Sequence, residues 1–147
     1  MKLIIGNMNY SSWSLRGWLA AKQSGLPFEE LTVHIDGDDW QAMKRAEGEF
    51  QPSAGKVPVL WDGDVVVWDS LAIVDYLNEK TGGTPGFWPD DMAARAMARS
   101  LAAEMHSGFS APRRHPSLTI RRLYPAAPPL SHLPAHVGLI LQLWAER

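Results

Sequence analysis

The sequence predicts an α/β domain of strand–helix–strand then strand–strand–helix order, built on a mixed sheet and followed by a purely helical segment. Three observations carry that prediction. The apolar run Leu3-Ile4-Ile5 precedes a stretch at helical spacing and then a second alternating run. Two β-branched runs, Val57 to Trp61 and Val65 to Trp68, flank Asp62-Gly63-Asp64, a strong short-range hairpin signal. The composition changes around Thr81-Gly82-Gly83-Thr84-Pro85-Gly86, where Gly and Pro both break regular structure.

The elements follow in order. Leu3-Ile4-Ile5 reads as a strand ended by Gly6, and Asn7 to Tyr10 as a polar loop. From Ser14 to Gln23, Leu15, Trp18, Leu19 and Lys22 fall at helical spacing, with Gly25 as the stop. Phe28 to Val33 alternates as a second strand, placed as in a βαβ unit. Asp39 to Arg45 is a candidate short helix, and Ser70 to Lys80 is the helix that follows the hairpin. Beyond the Gly/Pro junction the period is helical. Asp90 is placed to cap a helix from Asp91 to about Phe109. Residues 111–130 are rich in Pro and Arg and show no clear period. A last helix opens near Leu133 or Pro134, a position where Pro costs little; Val137, Ile140, Leu141 and Trp144 then follow i, i+3, i+4, i+7.

Composition bounds the function. The chain has 147 residues, 46% hydrophobic and 20% charged, which suits one globular domain or one domain and part of another. It has no Cys, which excludes a disulfide framework, a thiolate metal site and a protein thiol nucleophile. No apolar run is long enough to cross a membrane, and Met1 to Gly6 is too short for a signal peptide. A cytoplasmic address is the expectation. The net charge of −2 hides a division: residues 1–91 carry 14 acidic and 7 basic side chains, whereas residues 92–147 carry 2 and 7. Eight of the 11 prolines lie from Pro85 onward. These shifts suggest domains at 1–80 and 90–147, joined by a linker at 81–89.

Three segments carry candidate chemistry. Tyr10-Ser11-Ser12-Trp13-Ser14-Leu15-Arg16 places hydroxyls at a helix N-terminus, where N–H groups and the macrodipole favour negative charge. The same serines equally suit simple capping. In Gly55-Lys56-Val57-Pro58-Val59-Leu60, Pro58 must sit at an edge or at the start of its strand, since it has no ladder donor. A cis Val57–Pro58 bond would turn the main chain of Val57 outward toward an extended ligand. In Trp68-Asp69-Ser70-Leu71-Ala72-Ile73, Asp69 and Ser70 lie where strand meets helix. They suit either a cap or a pocket for an α-amino-acid head group, with Ser70 and helix N–H groups on the carboxylate and Asp69 on the ammonium.

Together, in this order, the segments resemble the glutathione S-transferase superfamily. The block from Lys56 to Leu60, Trp68 to Ile73 and Tyr76-Leu77 is similar to the second half of its thioredoxin-like domain. Tyr10 to Arg16 resembles the serine-type active-site loop of zeta- and theta-like classes, with bacterial relatives closest. Phe87-Trp88-Pro89-Asp90, with Arg95-Ala96, is similar to the opening of the all-helical second domain.

The resemblance implies a thioredoxin-like N-terminal domain, a partial all-α domain, and an enzyme that conjugates glutathione to small hydrophobic electrophiles in detoxification. Glutathione is implied as co-substrate, with no metal, no nucleic acid and no membrane partner, in a homodimer. It implies that Ser11 or Ser12 donates to the glutathione sulfur. A free thiol has a pKa of about 8.5, and the thiolate is the nucleophile, so stabilising that anion is the catalytic need. Alignment on the zeta pattern favours Ser11; counting back from Arg16 gives Ser12. Trp13 stands where the zeta pattern has Cys, which weighs against zeta-type isomerisation. Val57 is implied for the cysteinyl main chain, Asp69 and Ser70 for the γ-glutamyl end, and Lys44 or Lys56 for the glycyl carboxylate. Family members run longer, so the sequence suggests a truncated helical domain. That shortening favours, as alternatives, a non-catalytic module for binding or dimerisation; a glutathione-dependent isomerase is the further alternative.

Other signals carry less. His132 and His136 stand four apart, but Pro134 intervenes and no third ligand is near. Arg113-Arg114-His115 and Arg121-Arg122 form a basic stretch without the aromatic interleaving of single-strand nucleic-acid binders.

Overall fold

The computed structural model describes residues 1–34, 40, 48, 50–109, 120–121 and 134–145. Four strands form one mixed sheet: β1 (Lys2–Gly6), β2 (Glu29–Val33), β3 (Val59–Asp62) and β4 (Val65–Trp68), in the order β2-β1-β3-β4. Strands β1 and β2 are parallel, in register Lys2 with Glu29 through Gly6 with Val33. The crossover between them is α1 (Ser12–Gln23). Strand β3 runs antiparallel to both β1 and β4. The pairing of Asp62 with Val65 leaves a two-residue turn, in which Gly63 takes a φ of +60°. Helix α2 (Ser70–Lys80) follows directly. This is the thioredoxin-like βαβ–ββα domain that the sequence predicts. It is followed by a helical region containing α3 (Met92–Ser107) and α4 (Pro134–Ala145).

The period of two in the strands divides the core into two layers. Leu3 and Ile5 of β1 and Leu60 of β3 point to one face, where they meet Ala20 and Ala21 of α1 and Ile73 and Leu77 of α2. Ile4 and Val59 point to the other, against Val33, Trp40 and Phe50. Leu3, Ile4, Ile5, Val59 and Leu60 are all completely buried. A central strand covered on both faces loses its polar alternation and reads as a continuous apolar run, as Leu3-Ile4-Ile5 does.

Several element limits differ from the sequence expectation, each for a local reason. Strand β3 begins at Val59, two residues after Val57, because Pro58 cannot donate to the ladder. Helix α1 begins at Ser12, two residues before the expected Ser14, because Ser11 caps it. Asp91, not Asp90, caps α3, accepting a hydrogen bond from Ala94 N at 2.8 Å. The Val57–Pro58 bond is cis, as is Thr84–Pro85. The short helix expected at Asp39 to Arg45 lies, apart from Trp40, outside the described residues. So do Lys44, His132 and most of the basic stretch.

Glycine 17 governs how closely α1 approaches the sheet. It lies mid-helix and buried, and a Cβ built there would stand 2.8 and 2.9 Å from the Cγ and Cβ of Pro58. Glycine in a helix interior costs about 1 kcal/mol relative to Ala. The close approach of helix and proline ring is what that cost makes room for. Gly17→Ala should therefore destabilise the fold by about 1–3 kcal/mol, as overpacking does, despite its better helix propensity. A urea midpoint at or above that of wild type would contradict this account.

A polar cluster ties α2 to the hairpin. The Asp62 carboxylate pairs with the Lys80 ammonium and accepts from the Tyr76 hydroxyl at 2.5 Å. The Lys80 contact, then the Tyr76 hydrogen bond, hold the Asp62 carboxyl below its ordinary value of 3.8. Its depressed folded pKa means that its contribution is present above the unfolded value and is lost as pH falls through the folded one. The Asp62 contact raises both Tyr76 and Lys80 above their ordinary values, so their contributions fade only at strongly alkaline pH. Asp62→Asn should flatten the fall in unfolding free energy between pH 5 and about pH 2. An unchanged acid limb in urea titrations at those pH values would refute the assignment.

Candidate functional site

The N-termini of α1 and α2 open on one cleft of about 480 Å³. Ser11, Trp13, Trp40, Gly55, Lys56, Val57, Pro58, Trp68, Asp69 and Ser70 line it. Five of the residues singled out in the sequence are therefore brought together: Ser11, Lys56, Val57, Asp69 and Ser70. Ser12, in the first turn of α1, is not among the lining residues; its carbonyl accepts from Arg16 Nε at 3.5 Å. Lys44 lies outside the described residues.

Each lining group is held by its own local chemistry. Ser11 caps α1, its Oγ accepting from Ser14 N at 3.2 Å and lying 3.0 Å from Ser14 Oγ. Val57 precedes the first ladder pair, Val59 with Trp68, so its main chain lies outside the sheet register, and the residue lines the cleft. Ser53 anchors the preceding turn: its Oγ donates to Lys56 O at 2.8 Å and accepts from Lys56 N at 3.0 Å.

Asp69 is the most constrained residue of the site. Its φ of +64° with ψ of 152° is a region that residues with a Cβ rarely enter. Two contacts hold it. Oδ1 accepts from Leu71 N at 2.8 Å as the cap of α2, and Oδ2 lies 2.7 Å from His106 Nε2 of α3. The His106 ring stands edge-on to Trp13, with centroids 4.8 Å apart, and the Arg16 guanidinium lies 4.0 Å from the Trp13 ring centre. A chain of contacts thus runs from α1 through Trp13 and His106 to Asp69.

Ser70 differs from its neighbours. Its side chain is only 2% exposed, and Oγ has no hydrogen-bond partner among the described residues. A buried hydroxyl without a partner costs about 1–3 kcal/mol. Ser70 opens the first turn of α2, and the residue lines the cleft.

Trp40, Trp68 and His106 join the site without having been singled out by sequence reasoning. Trp68 was legible as the end of the hairpin strand that leads into Asp69. His106 lies 37 residues beyond Asp69 in the chain, and no local pattern links the two. Among the described residues no group of three His, Asp or Glu side chains could hold a metal ion. No described helix is long and apolar enough to cross a membrane.

A thioredoxin-like sheet with a hydroxyl at the N-terminus of its first helix and an acid–serine pair at that of its last defines the class. The family model for the glutathione S-transferase N-terminal domain matches residues 10–80. Dichloromethane dehalogenase of Methylorubrum extorquens is 41% identical over 63 residues, covering 43% of this chain and 21% of that protein. The structure of a bacterial zeta-class maleylpyruvate isomerase superposes with a TM-score of 0.60 at 30% identity, covering 78% of this chain and 52% of that one. A theta-class glutathione S-transferase of Xanthomonas axonopodis pv. citri, with glutathione bound, gives 0.55 at 26% identity, covering 76% and 52%. Residues 10–80 thus form a glutathione S-transferase N-terminal domain, with affinity to the theta and zeta classes of that superfamily. The chain spans about a fifth of the dehalogenase and about half of each of those two structures.

The cap at Asp69 can be tested apart from any ligand. Asp69→Ala loses the acceptor for Leu71 N and keeps a Cβ at positive φ, and should cost about 1–2 kcal/mol. Asp69→Gly loses the same acceptor but relieves the backbone, and should cost less than half as much. Equal losses in chemical denaturation would show that the backbone conformation carries no strain.

Proposed function

We propose that the cleft binds glutathione and that the protein conjugates its thiolate to small hydrophobic electrophiles. The observation that carries this reading is the convergence on one cleft of Ser11, Val57, Asp69 and Ser70, the last with a buried hydroxyl that has no partner among the described residues. These groups match the tripeptide in order. Ser70 and the N–H groups of α2 take the γ-glutamyl carboxylate, and Asp69 takes the ammonium. The Val57 main chain pairs with the cysteinyl peptide unit, and Lys56 meets the glycyl carboxylate as a point charge. In this reading residues 1–80 form the glutathione-binding unit, 81–89 the linker and 90–147 part of the helical unit.

The chemistry follows from the N-terminus of α1. Ser11 Oγ donates to the sulfur, and the partial positive charge of the helix end favours the anion. Both raise the fraction of thiolate at neutral pH, and the thiolate attacks the electrophile, whose leaving group departs with the bonding electron pair. Ser11 is favoured over Ser12 because it lines the cleft and Ser12 does not.

The test is conjugation of an aryl halide together with glutathione affinity. Ser11→Ala should lower kcat/KM by roughly a hundredfold, the order expected for loss of one donor to a developing or stabilised anion. Ser12→Ala should change it less than about threefold. Tight glutathione binding with no turnover, unaltered by either substitution, would favour a binding module. Failure to bind glutathione would refute the site assignment.

A further inference from the structure

The capping serine has a second, buried partner whose hydroxyl the cap does not require. Ser14 is completely buried, yet its Oγ sits 2.9 Å from Gly6 N and 3.0 Å from Ser11 Oγ. For capping, only the Ser14 main-chain N–H is needed, and it donates to Ser11 Oγ at 3.2 Å. An alanine at position 14 would serve the cap as well. A hydroxyl is costly in such a place unless it is bonded, and here it is bonded to the residue proposed to act on sulfur.

We propose that Ser14 is a positioning residue that sets the direction of the Ser11 hydroxyl. This rests on the reading of Ser11 given above. Gly6 N–H occupies one lone pair of Ser14 Oγ. In one of the two directions open to the pair, Ser11 O–H donates to Ser14 Oγ, 3.0 Å away, and so takes the second. Ser11 then has no proton left for a ligand. To donate to sulfur, Ser11 must turn its hydrogen to the cleft, and the pair must reverse so that Ser14 O–H donates to Ser11 Oγ. A hydroxyl pair reverses by rotation about two C–O bonds, with no heavy atom moving. After reversal Ser11 Oγ accepts from both the N–H and the O–H of Ser14, and its one proton is free for the sulfur. The Gly6 N–H stays on Ser14 Oγ in either direction. The result is a polarised chain from β1 through Ser14 to Ser11, in which each bond strengthens the next.

The role predicts a readout that packing alone would not move. Glutathione thiolate absorbs in the ultraviolet, so the thiol pKa in the complex is measured by titrating that absorbance. S-methylglutathione has no ionisable thiol, so its affinity reports the rest of the site. Ser14→Ala should raise the bound thiol pKa by about half to one unit, three- to tenfold less thiolate at a pH below it, with S-methylglutathione affinity changed less than about twofold. Ser14→Thr, which keeps the hydroxyl, should restore the wild-type pKa. Ser14→Cys keeps a donor, a weaker one, in a slightly larger side chain and should fall between. It serves in place of Ser14→Ala if the orphaned Gly6 N–H prevents that variant from folding.

An unshifted thiol pKa in Ser14→Ala, or in Ser14→Cys as its substitute, overturns the proposal. So does a parallel loss of affinity for both ligands without a pKa change. The underlying reading has its own control: if wild type does not lower the thiol pKa below that of free glutathione, or Ser11→Ala leaves it unaltered, the Ser11 assignment fails. If Ser11→Ala shifts the pKa and the Ser14 variants do not, only the Ser14 role fails.

Discussion

The contact between Gly17 and Pro58 fixes the distance between the two sides of the cleft. Helix α1 carries Ser11 at its N-terminus, and the segment from Gly55 to Pro58 carries the Val57 main chain. One turn and a half into α1, a glycine without a Cβ lets the helix axis settle on the proline ring. A methyl group there would prise apart the two elements whose ends line the site. Packing in a dense interior is transmitted rather than absorbed, so a small residue in the middle of a helix sets the geometry at its end.

The second helix obeys a related constraint. Asp69 must leave β4 and open α2 in one step, and the chain does so at positive φ. The cap to Leu71 N and the pairing with His106 hold that conformation. Two helix N-termini thereby open on one space, each bringing the positive end of its dipole. In the proposed reading, this is how the site would favour anions at two places without a cluster of basic side chains.

Much of this was legible in the sequence, because it rests on local rules. The buried strands announced themselves as Leu3-Ile4-Ile5 and Val59-Leu60, the hairpin as Asp62-Gly63-Asp64, and the start of α2 as Asp69-Ser70, while the cap of α1 was open among Ser11, Ser12 and Ser14. Pro58 marked where the ladder could not begin. The tertiary contacts were not legible. Nothing local says that Gly17 meets Pro58, that His106 reaches Asp69, or that Asn9 Oδ1 accepts from the main-chain N–H groups of Ile120 and Arg121 at 3.0 and 2.9 Å. These pairings depend on chain paths that the hydrophobic period does not encode. The choice between Ser11 and Ser12 was open for the same reason: adjacent serines are equivalent as symbols and differ only once the helix start is fixed.

The pairing of Asp69 with His106 bears on how a ligand ammonium would be received. Both carboxylate oxygens are already engaged, one by the α2 cap and one by a side chain from α3. A carboxylate has about four acceptor positions, so a further donor can join without displacing either. Its rotamer freedom was lost when the chain folded rather than when the ligand arrives. Preorganisation of this kind lowers the ordering cost of binding, and here part of it is supplied by the helical half of the chain. In the proposed reading, the receptor for the amino group would in that sense be shared between the sheet domain and α3, although the carboxylate itself belongs to the first.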